Sequence, residues 1–280
     1  MIAIEWTKQF RRATTYVALS IVAGFSVLLT VALAATGSGQ VEFVGDVPLV
    51  MVPGTSGLSV PIIALSSTMK FFLPLAVSLF AGQAVAGEAG WGSLRYVLAR
   101  PVSRTRVLWS KASVAALLSM AAVITLTVAA VAAGSLAFGW HPLHVIDGGS
   151  SSPGHPVGAT FPTGVLLGEL GLSALYVIAG MSSIFAVAFF LSTTTRRPLL
   201  AVAGGVALTV ISRVFNGDYL PGVSVVNGYM PNNDIDLWNH LFVRPMATEG
   251  FLHFLVVQAA YFAVFMGLAQ WWFTRKDILE

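Results

Sequence analysis

The 280-residue sequence predicts an all-α membrane protein with six transmembrane helices and both termini in the cytoplasm. Hydrophobic residues make up 56% of the chain and charged residues 10%, whereas a soluble domain typically carries about 25% charged residues. A water-exposed surface cannot be built from so few charges, so most of the surface must face lipid. Most of the basic residues also fall in every second gap between apolar stretches, as the positive-inside rule requires of cytoplasmic loops.

The basic residues define the predicted topology. Twelve of the 15 are Lys8, Arg11, Arg12, Arg95, Arg100, Arg104, Arg106, Lys111, Arg196, Arg197, Arg275 and Lys276. The remaining three are Lys70, Arg213 and Arg244. In the intervening gaps nearly all the charged residues are acidic, and Gly, Pro, Asn and Ser are frequent, which is typical of external loops. These gaps are 36–61, 139–162 and 215–250. We attribute the net charge of +3 to this topology and to contact with anionic lipid headgroups, and we predict no nucleic-acid binding.

Six stretches reach the length of about 20 apolar residues that a spanning helix needs, although the fifth is short. They are 16–35, 62–86, 112–138, 163–191, 198–214 and 251–272. Residues 1–280 are therefore expected to form a single six-helix transmembrane domain. Gly164 and Gly168 form a small-xxx-small pair, which predicts a close helix contact at that position.

Two segments outside the spans have amphipathic or aromatic patterns. In residues 2–12, the apolar side chains share one helical face and the basic ones lie opposite, which favours an interfacial helix; a plain basic flank is the alternative. The external gap 215–250 is rich in aromatic residues, and 234–243 is predicted to form a short interfacial helix. A loop with aromatic anchors is the alternative there.

Lys70 and Glu169 are ionisable residues inside apolar stretches, which makes them candidate functional charges. The alternative is that Lys70 extends to the headgroups or that the two residues pair. Pro74 lies one turn further along and is expected to kink the second helix, because it removes a backbone donor.

The motifs of enzymes and metal sites are absent from the sequence. It has no cysteine and no phosphate-binding loop of the form Gly-x-x-x-x-Gly-Lys-Ser/Thr, so we do not expect it to hydrolyse ATP. His141, His144 and His155 share a Gly/Ser-rich gap that is typical of an ordinary polar loop and not of a zinc site. No paired carboxylates occupy a span. We therefore predict that the chain is not an enzyme and binds no metal or cofactor itself.

The loop between the second and third spans contains the pattern most informative about function. Trp91, Leu94 and Leu98 recur at helical spacing, and Arg95 lies away from that stripe. Pro101 should end the helix, because the residue before a proline is disfavoured in α geometry. Residues 88–100 are thus predicted to form a short amphipathic cytoplasmic helix.

This loop resembles that of the permease subunits of ABC-2-type ATP-binding cassette transporters. The resemblance rests on Glu88, Gly92-Ser93-Leu94-Arg95, Leu98, Pro101-Val102-Ser103-Arg104 and Lys111. It extends over the whole chain, from the N-terminal amphipathic segment through six spans to the basic tail Phe273-Thr274-Arg275-Lys276-Asp277. Trp91 is a departure, since small or polar residues are more usual before Gly92.

The resemblance implies that residues 88–100 form a coupling helix that docks in a groove of a separate ATPase subunit. Glu88 and Arg95 would make charge-assisted contacts to that subunit. Trp91, Leu94 and Leu98 would fill its groove or face the membrane, and Gly92 and Ser93 belong to the same motif. The alternative is a membrane-surface helix that only anchors the loop.

The resemblance also implies a function: a permease subunit that exports an amphiphilic or hydrophobic substrate across a bacterial or archaeal cell membrane. Its partners would be ATPase subunits that bind ATP and Mg²⁺, a second permease copy or a sister permease, and membrane lipids. A different class remains open, a membrane scaffold or assembly factor that binds a partner protein without transport. The sequence leaves the substrate and the choice between homodimer and heterodimer open.

Overall fold

The computed structural model describes residues 2–36, 49–51, 56–90, 103–147, 158–216, 228–242 and 250–275. Within these ranges, six helical segments are long and apolar enough to cross a membrane. They are Ala13–Ala35, Phe72–Gly90, Arg104–Phe138, Thr163–Thr194, Pro198–Phe215 and Phe251–Arg275. The prediction of an all-α membrane protein with six spans is therefore confirmed, and each span overlaps its predicted stretch.

The described elements follow one another in a simple order. They are α1 (Ile2–Phe10), α2 (Ala13–Thr36), β1 (Leu49–Met51), α3 (Ser59–Thr68), α4 (Phe72–Gly90), α5 (Arg104–Phe138), β2 (Leu143–Asp147), β3 (Gly158–Phe161), α6 (Thr163–Gly180), α7 (Ser182–Thr194), α8 (Pro198–Asn216), a 3-10 helix (Asn233–Phe242) and α9 (Phe251–Arg275). The segment expected to be an interfacial helix is thus helical as α1, and the third span begins at Arg104, about two turns before its predicted start.

The predicted second span, 62–86, consists of two helices. Helix α3 ends at Thr68 and α4 begins at Phe72, and α3 is almost entirely buried against its neighbours. The kink expected at Pro74 is instead a helix start: Pro74 is the third residue of α4, where the missing N–H has no helical partner to lose. Of the two, α4 is long and apolar enough to cross a membrane, whereas α3 is a shorter apolar helix that packs against α5 and α2.

The fourth span is continuous in direction although it contains two helices. Met181, between α6 and α7, keeps helical dihedral angles of φ −76° and ψ −8°. Its N–H donates to Val177 O at 2.9 Å, and Phe185 N–H donates to Met181 O at 2.9 Å. Since the ladder of backbone bonds persists across Met181, α6 and α7 together form one span.

The centre of the bundle is formed by α4 and α7. Helix α4 packs against α5, α7 and α8, whereas α7 packs against α4, α8 and α9. Small residues permit the close approach of α4 and α8, since a Cβ at Gly82 would lie 2.9 Å from Val202 N and one at Gly205 would lie 2.3 Å from Ser78 Oγ. By contrast, a Cβ at Gly164 or Gly168 would meet nothing within 4 Å. The predicted helix contact at that glycine pair is therefore wrong within this chain.

One end of the bundle carries a small sheet that sequence analysis did not predict. The strands pair antiparallel in the order β1-β2-β3, with Val50 opposite Ile146 and Val145 opposite Ala159. Next to the sheet, Gly57 N–H donates to Gly139 O at 3.0 Å, which joins the start of α3 to the end of α5. Two gaps that were expected to be external loops thus meet at one end, which we call the sheet end.

The short helix expected at 234–243 is present as the 3-10 helix Asn233–Phe242, and it is buried in the bundle. Trp238 has no exposed surface, and its indole N–H donates to Met69 Sδ at 3.2 Å. The hydroxyl of Tyr176 on α6 donates to Asp234 O at 2.8 Å. The segment therefore packs against the end of α3 and the C-terminal half of α6.

Candidate functional site

The basic segments meet at the end of the bundle opposite to the sheet. Arg104 Nη1, at the start of α5, donates to Thr274 O near the end of α9 at 3.3 Å. A Cβ at Gly90, the last residue of α4, would lie 2.8 Å from Arg196 O in the turn before α8. We call this the basic end. The structure thus groups the segments that the positive-inside rule assigns to one side, and the assignment of that side to the cytoplasm stays a prediction.

A cluster of four charged side chains joins three helices at the basic end. Lys111 Nζ on α5 lies 2.6 Å from Glu88 Oε2 on α4 and 3.2 Å from Glu5 Oε1 on α1. Lys8 Nζ on α1 contacts the other carboxylate oxygen of Glu88. We call Glu5, Lys8, Glu88 and Lys111 the four-charge cluster.

The helices place these side chains by simple spacing. Glu5 and Lys8 are three residues apart on α1, so they share one face of that helix. Glu88 lies in the last turn of α4, and Lys111 lies about two turns into α5. The cluster therefore holds α1 against the two helices that flank residues 91–102.

Burial makes the four-charge cluster energetically important. The side chain of Lys111 is 1% exposed and that of Glu88 is 3% exposed, whereas that of Lys8 is 41% exposed. A buried charge is tolerated only where opposite charges and hydrogen bonds compensate its lost hydration. Two lysines and two glutamates give this compensation, so the cluster is neutral as a whole and depends on each buried member.

The structure gives Glu88 a different setting from the one expected. Its carboxylate was expected to contact a partner protein directly, but it lies inside the chain against two lysines. The reason is that α1 packs against α5 and brings Lys8 into contact with Glu88 in the last turn of α4. The other predicted coupling residues lie outside the described residues: Trp91, Gly92, Ser93, Leu94, Arg95 and Leu98. Their coupling role, and that of Glu88, stays a prediction.

Lys70 and Glu169 occupy different environments. Lys70 is exposed in the turn between α3 and α4, so it does not lie within a helix that crosses the membrane. Glu169 is buried, with 7% of the residue exposed, in the second turn of α6. The structure therefore places Lys70 in a turn between two apolar helices and Glu169 as a buried carboxyl on α6, and a functional role for either charge stays a prediction.

A groove runs along the bundle between α2 and α4, and it has a volume of about 400 Å³. Its lining is apolar apart from Thr14 and Thr68. Phe25 and Phe72, whose ring centroids lie 5.1 Å apart, both line it. This groove was not predictable from the sequence, because α2 is mostly apolar around its whole circumference and no polar stripe marks the face that lines the groove.

Sequence reasoning also missed Glu5 and Lys8 as site residues. Glu5 is the one acidic residue among the first 41 residues, in a segment otherwise rich in basic ones. That isolated charge was a signal for a specific partner. The partner itself could not be inferred, because Glu5 and Lys111 are 106 residues apart in the chain.

Comparison with known proteins places the chain in a family. Residues 19–279 match the model of a family described as "Protein of unknown function (DUF2705)". The chain is also 24% identical over 234 residues to the "Uncharacterized protein YhcI" of Bacillus subtilis (strain 168), in an alignment that covers 81% of this chain and 72% of that protein. Because the family model spans all six transmembrane segments, at least in part, this chain belongs to the DUF2705 family.

Proposed function

We propose that this chain is the membrane-spanning permease subunit of an ABC-2-type transporter, driven by ATP hydrolysis on a separate nucleotide-binding subunit. The observation that supports this best is the four-charge cluster. It joins α1, α4 and α5 near the end of α4 and the start of α5, the two helices that precede and follow residues 91–102.

The cluster would allow residues 91–102 to transmit a displacement, imposed by a partner subunit, to the rest of the bundle. A displacement applied to a loop is lost if the helix ends on either side move freely. Here the flanking helices are bound to each other, and α4 also packs against α7 and α8. Because packed helices move as rigid units, a force on residues 91–102 would be transmitted to the centre of the bundle.

In this proposal Glu88 is a positioning residue, and the loop itself contacts the partner. Trp91, Leu94 and Leu98 fill the groove of the ATPase subunit, and Arg95 makes a charge-assisted contact to it. Gly92 and Ser93 belong to the same contact segment. ATP and Mg²⁺ are bound by the partner, since the chain has no phosphate-binding loop.

The proposed cargo is an amphiphilic or hydrophobic molecule that is exported. The apolar groove between α2 and α4 supports this class, as do the large apolar faces of the outer helices, where Leu136 is 88% and Leu199 is 79% exposed. The proposed assembly contains two permease subunits, identical or sister chains, in the cell membrane of a bacterium or archaeon.

Affinity purification from native membranes in mild detergent tests this proposal. The full chain is expected to recover an ATPase with a phosphate-binding loop. A variant that lacks residues 92–100 is expected to lose it, and this deletion keeps Glu88 so that the four-charge cluster remains intact. The matched control lacks residues 149–157, which are nine residues of the predicted external gap, and should recover the ATPase as the full chain does.

Two outcomes would contradict the proposal. Recovery of a partner without a nucleotide-binding motif would favour the scaffold or assembly factor. Equal recovery of the ATPase by the full chain and by the variant without residues 92–100 would remove the coupling role from this loop.

A further inference from the structure

We propose that the groove between α2 and α4 is a binding site for one acyl chain of an anionic phospholipid, whose phosphate is held by Arg11 and Arg12. The inference concerns binding alone, and it does not depend on whether the chain transports anything.

The length of the groove suits an acyl chain from one leaflet. On α2 the lining runs from Ala13 to Phe25, which is about 18 Å at the helical rise of 1.5 Å per residue. One leaflet contributes about half of the 30 Å hydrocarbon core. The ring pair of Phe25 and Phe72 lies at the deep end, so the groove begins at the basic end and extends to about the depth that one chain reaches.

The mouth of the groove carries positive charge. Arg11 and Arg12 form the corner between α1 and α2, directly before the first lining residue, Ala13. Arg12 Nη1 reaches across to α4, where it lies 3.8 Å from the position that a Cβ on Gly87 would take. The guanidinium therefore bridges the two helices that form the groove walls.

The described carboxylates at the same end of the bundle as Arg11 and Arg12 already form ion pairs with lysines. Within the described part of the basic end, the acidic residues are Glu5 and Glu88, and the four-charge cluster pairs both with lysines. The two arginines thus add positive charge beside a neutral cluster. Guanidinium groups bind phosphate oxygens through paired, charge-assisted hydrogen bonds. The extra positive charge therefore favours a phospholipid whose headgroup has a net negative charge.

This charge also argues against a second copy of the chain as the occupant. A two-fold contact through the groove would bring the same surface of both copies together and place their arginines near one another. Like charges at a desolvated contact are unfavourable, whereas an anionic headgroup is attracted. A phospholipid satisfies both the apolar groove and its cationic mouth.

Thermal unfolding of the full chain, delipidated in neutral detergent, tests the site. Dioleoyl phosphatidylglycerol is expected to raise the midpoint more than dioleoyl phosphatidylcholine, and inorganic phosphate should have no effect. The double variant Arg11→Gln/Arg12→Gln should weaken apparent phosphatidylglycerol affinity by about tenfold or more, since a hydrogen bond to a charged group contributes about that factor. Val17→Trp/Ile21→Trp, which fills the groove from exposed lining positions, should abolish binding of both lipids.

Matched controls separate the site from general effects. Arg196→Gln/Arg197→Gln removes two charges elsewhere at the basic end, and Val128→Trp enlarges an exposed position on α5. Both should bind phosphatidylglycerol as the unmodified chain does. Native mass spectrometry of the retained lipid gives the same comparison independently of protein stability.

Several results would overturn the proposal. Equal responses to the two lipids would remove the headgroup site, and unchanged binding by Val17→Trp/Ile21→Trp would remove the groove. A phosphate response equal to that of phosphatidylglycerol would indicate a site for a free anion. A dimer that forms on delipidation and is lost in the tryptophan variant would show that the groove holds a second copy.

Discussion

Glu88 is held from two directions along the chain, by Lys8, which lies 80 residues away, and by Lys111 on the next helix. Its carboxylate is shared between an exposed and a buried ammonium group. A buried charge that loses its partner costs far more than the pair contributes in net stability. Glu88 is therefore the residue on which the geometry of the basic end depends most strongly.

Glu88→Gln is expected to lower the free energy of unfolding by about 3–5 kcal/mol, because Lys111 would keep Glu5 as its one anionic contact in the four-charge cluster. Lys8→Gln is the matched control, and since its side chain is 41% exposed it should cost about 1 kcal/mol or less. The double variant Glu88→Gln/Lys111→Met removes both charges of the Glu88–Lys111 pair but leaves Glu5 without Lys111, so it should recover only part of the loss. Unfolding in detergent measures all three; a loss below 1 kcal/mol for Glu88→Gln would contradict the energetic role of the cluster.

At this scale the sequence selected Glu88 as a contact to a partner protein, and the structure places it among charges of its own chain. Glu88 and Lys111 were selected from the loop pattern, and the structure joins them at 2.6 Å. The inward direction of Glu88 was not predictable, because it depends on where α1 lies. Amphipathicity indicated that residues 2–12 form a helix, but helical periodicity does not specify which neighbouring helix receives its charges.

Among the described elements, the crossing of α3 and α5 is where a neighbouring backbone comes closest to a glycine. A Cβ at Gly134 would lie 2.2 Å from Gly57 O, and one at Gly57 would lie 2.5 Å from Gly134 O. Both contacts are with backbone atoms, which cannot rotate away as a side chain can. The two glycines therefore set the distance between the start of α3 and the last turns of α5.

Gly134→Ala should destabilise the protein by about 1–3 kcal/mol, the usual cost of overpacking, because the added methyl group forces the α3 backbone away. Gly168→Ala is the control of the same chemistry on α6, where a Cβ meets nothing within 4 Å. It should be neutral or slightly stabilising, since alanine favours the helix. Thermal unfolding in detergent compares the two, and equal midpoints would show that the crossing is not close.

The elements that could be predicted are those set by hydropathy alone. All six spans follow from apolar length, but the breaks at residues 69–71 and at Met181 do not, since an apolar window is insensitive to an interruption of a few residues. The sheet was missed for another reason. Strand β1 has three residues and pairs with β2, which lies almost 100 residues later in the chain. Because strand formation depends on the neighbouring strand and on burial, such a distant pairing is not visible in the local sequence.

At the scale of the whole molecule, a basic end lies opposite to a sheet end. The basic segments lie in contact at one end, and the sheet and the 3-10 helix lie at the other. This arrangement agrees with the alternation of charge along the sequence. The proposed orientation adds the membrane side, because translocated loops carry few basic residues.

Cysteine labelling can test that orientation directly, since the chain has no cysteine and each introduced thiol is unique. Tyr229→Cys lies at an exposed position beside the 3-10 helix, and Ser103→Cys lies at an exposed position before α5. In intact cells a membrane-impermeant maleimide should label Tyr229→Cys, and it should label Ser103→Cys only after permeabilisation. The reverse pattern would place residues 91–102 outside the cell and end the coupling proposal.

The sequence supports the proposed function only to the extent that the loop motif is specific to ABC-2-type permeases. The resemblance to ABC-2-type permeases depends largely on residues 88–104, and the six-span layout by itself is shared by many membrane proteins. The structure adds that the helices on both sides of this loop are joined by a buried charge cluster. No helical periodicity or hydropathy pattern reports such a link, because its members come from three separate helices.

The most direct test of the central claim is site-specific photo-crosslinking in native membranes from position 94. A photoreactive amino acid in place of Leu94 should crosslink to an ATPase that carries a phosphate-binding loop, and the same amino acid in place of Tyr229 should not. If the Leu94 variant inserts normally and crosslinks to no nucleotide-binding protein, residue 94 does not contact an ATPase subunit, and the proposed function is wrong.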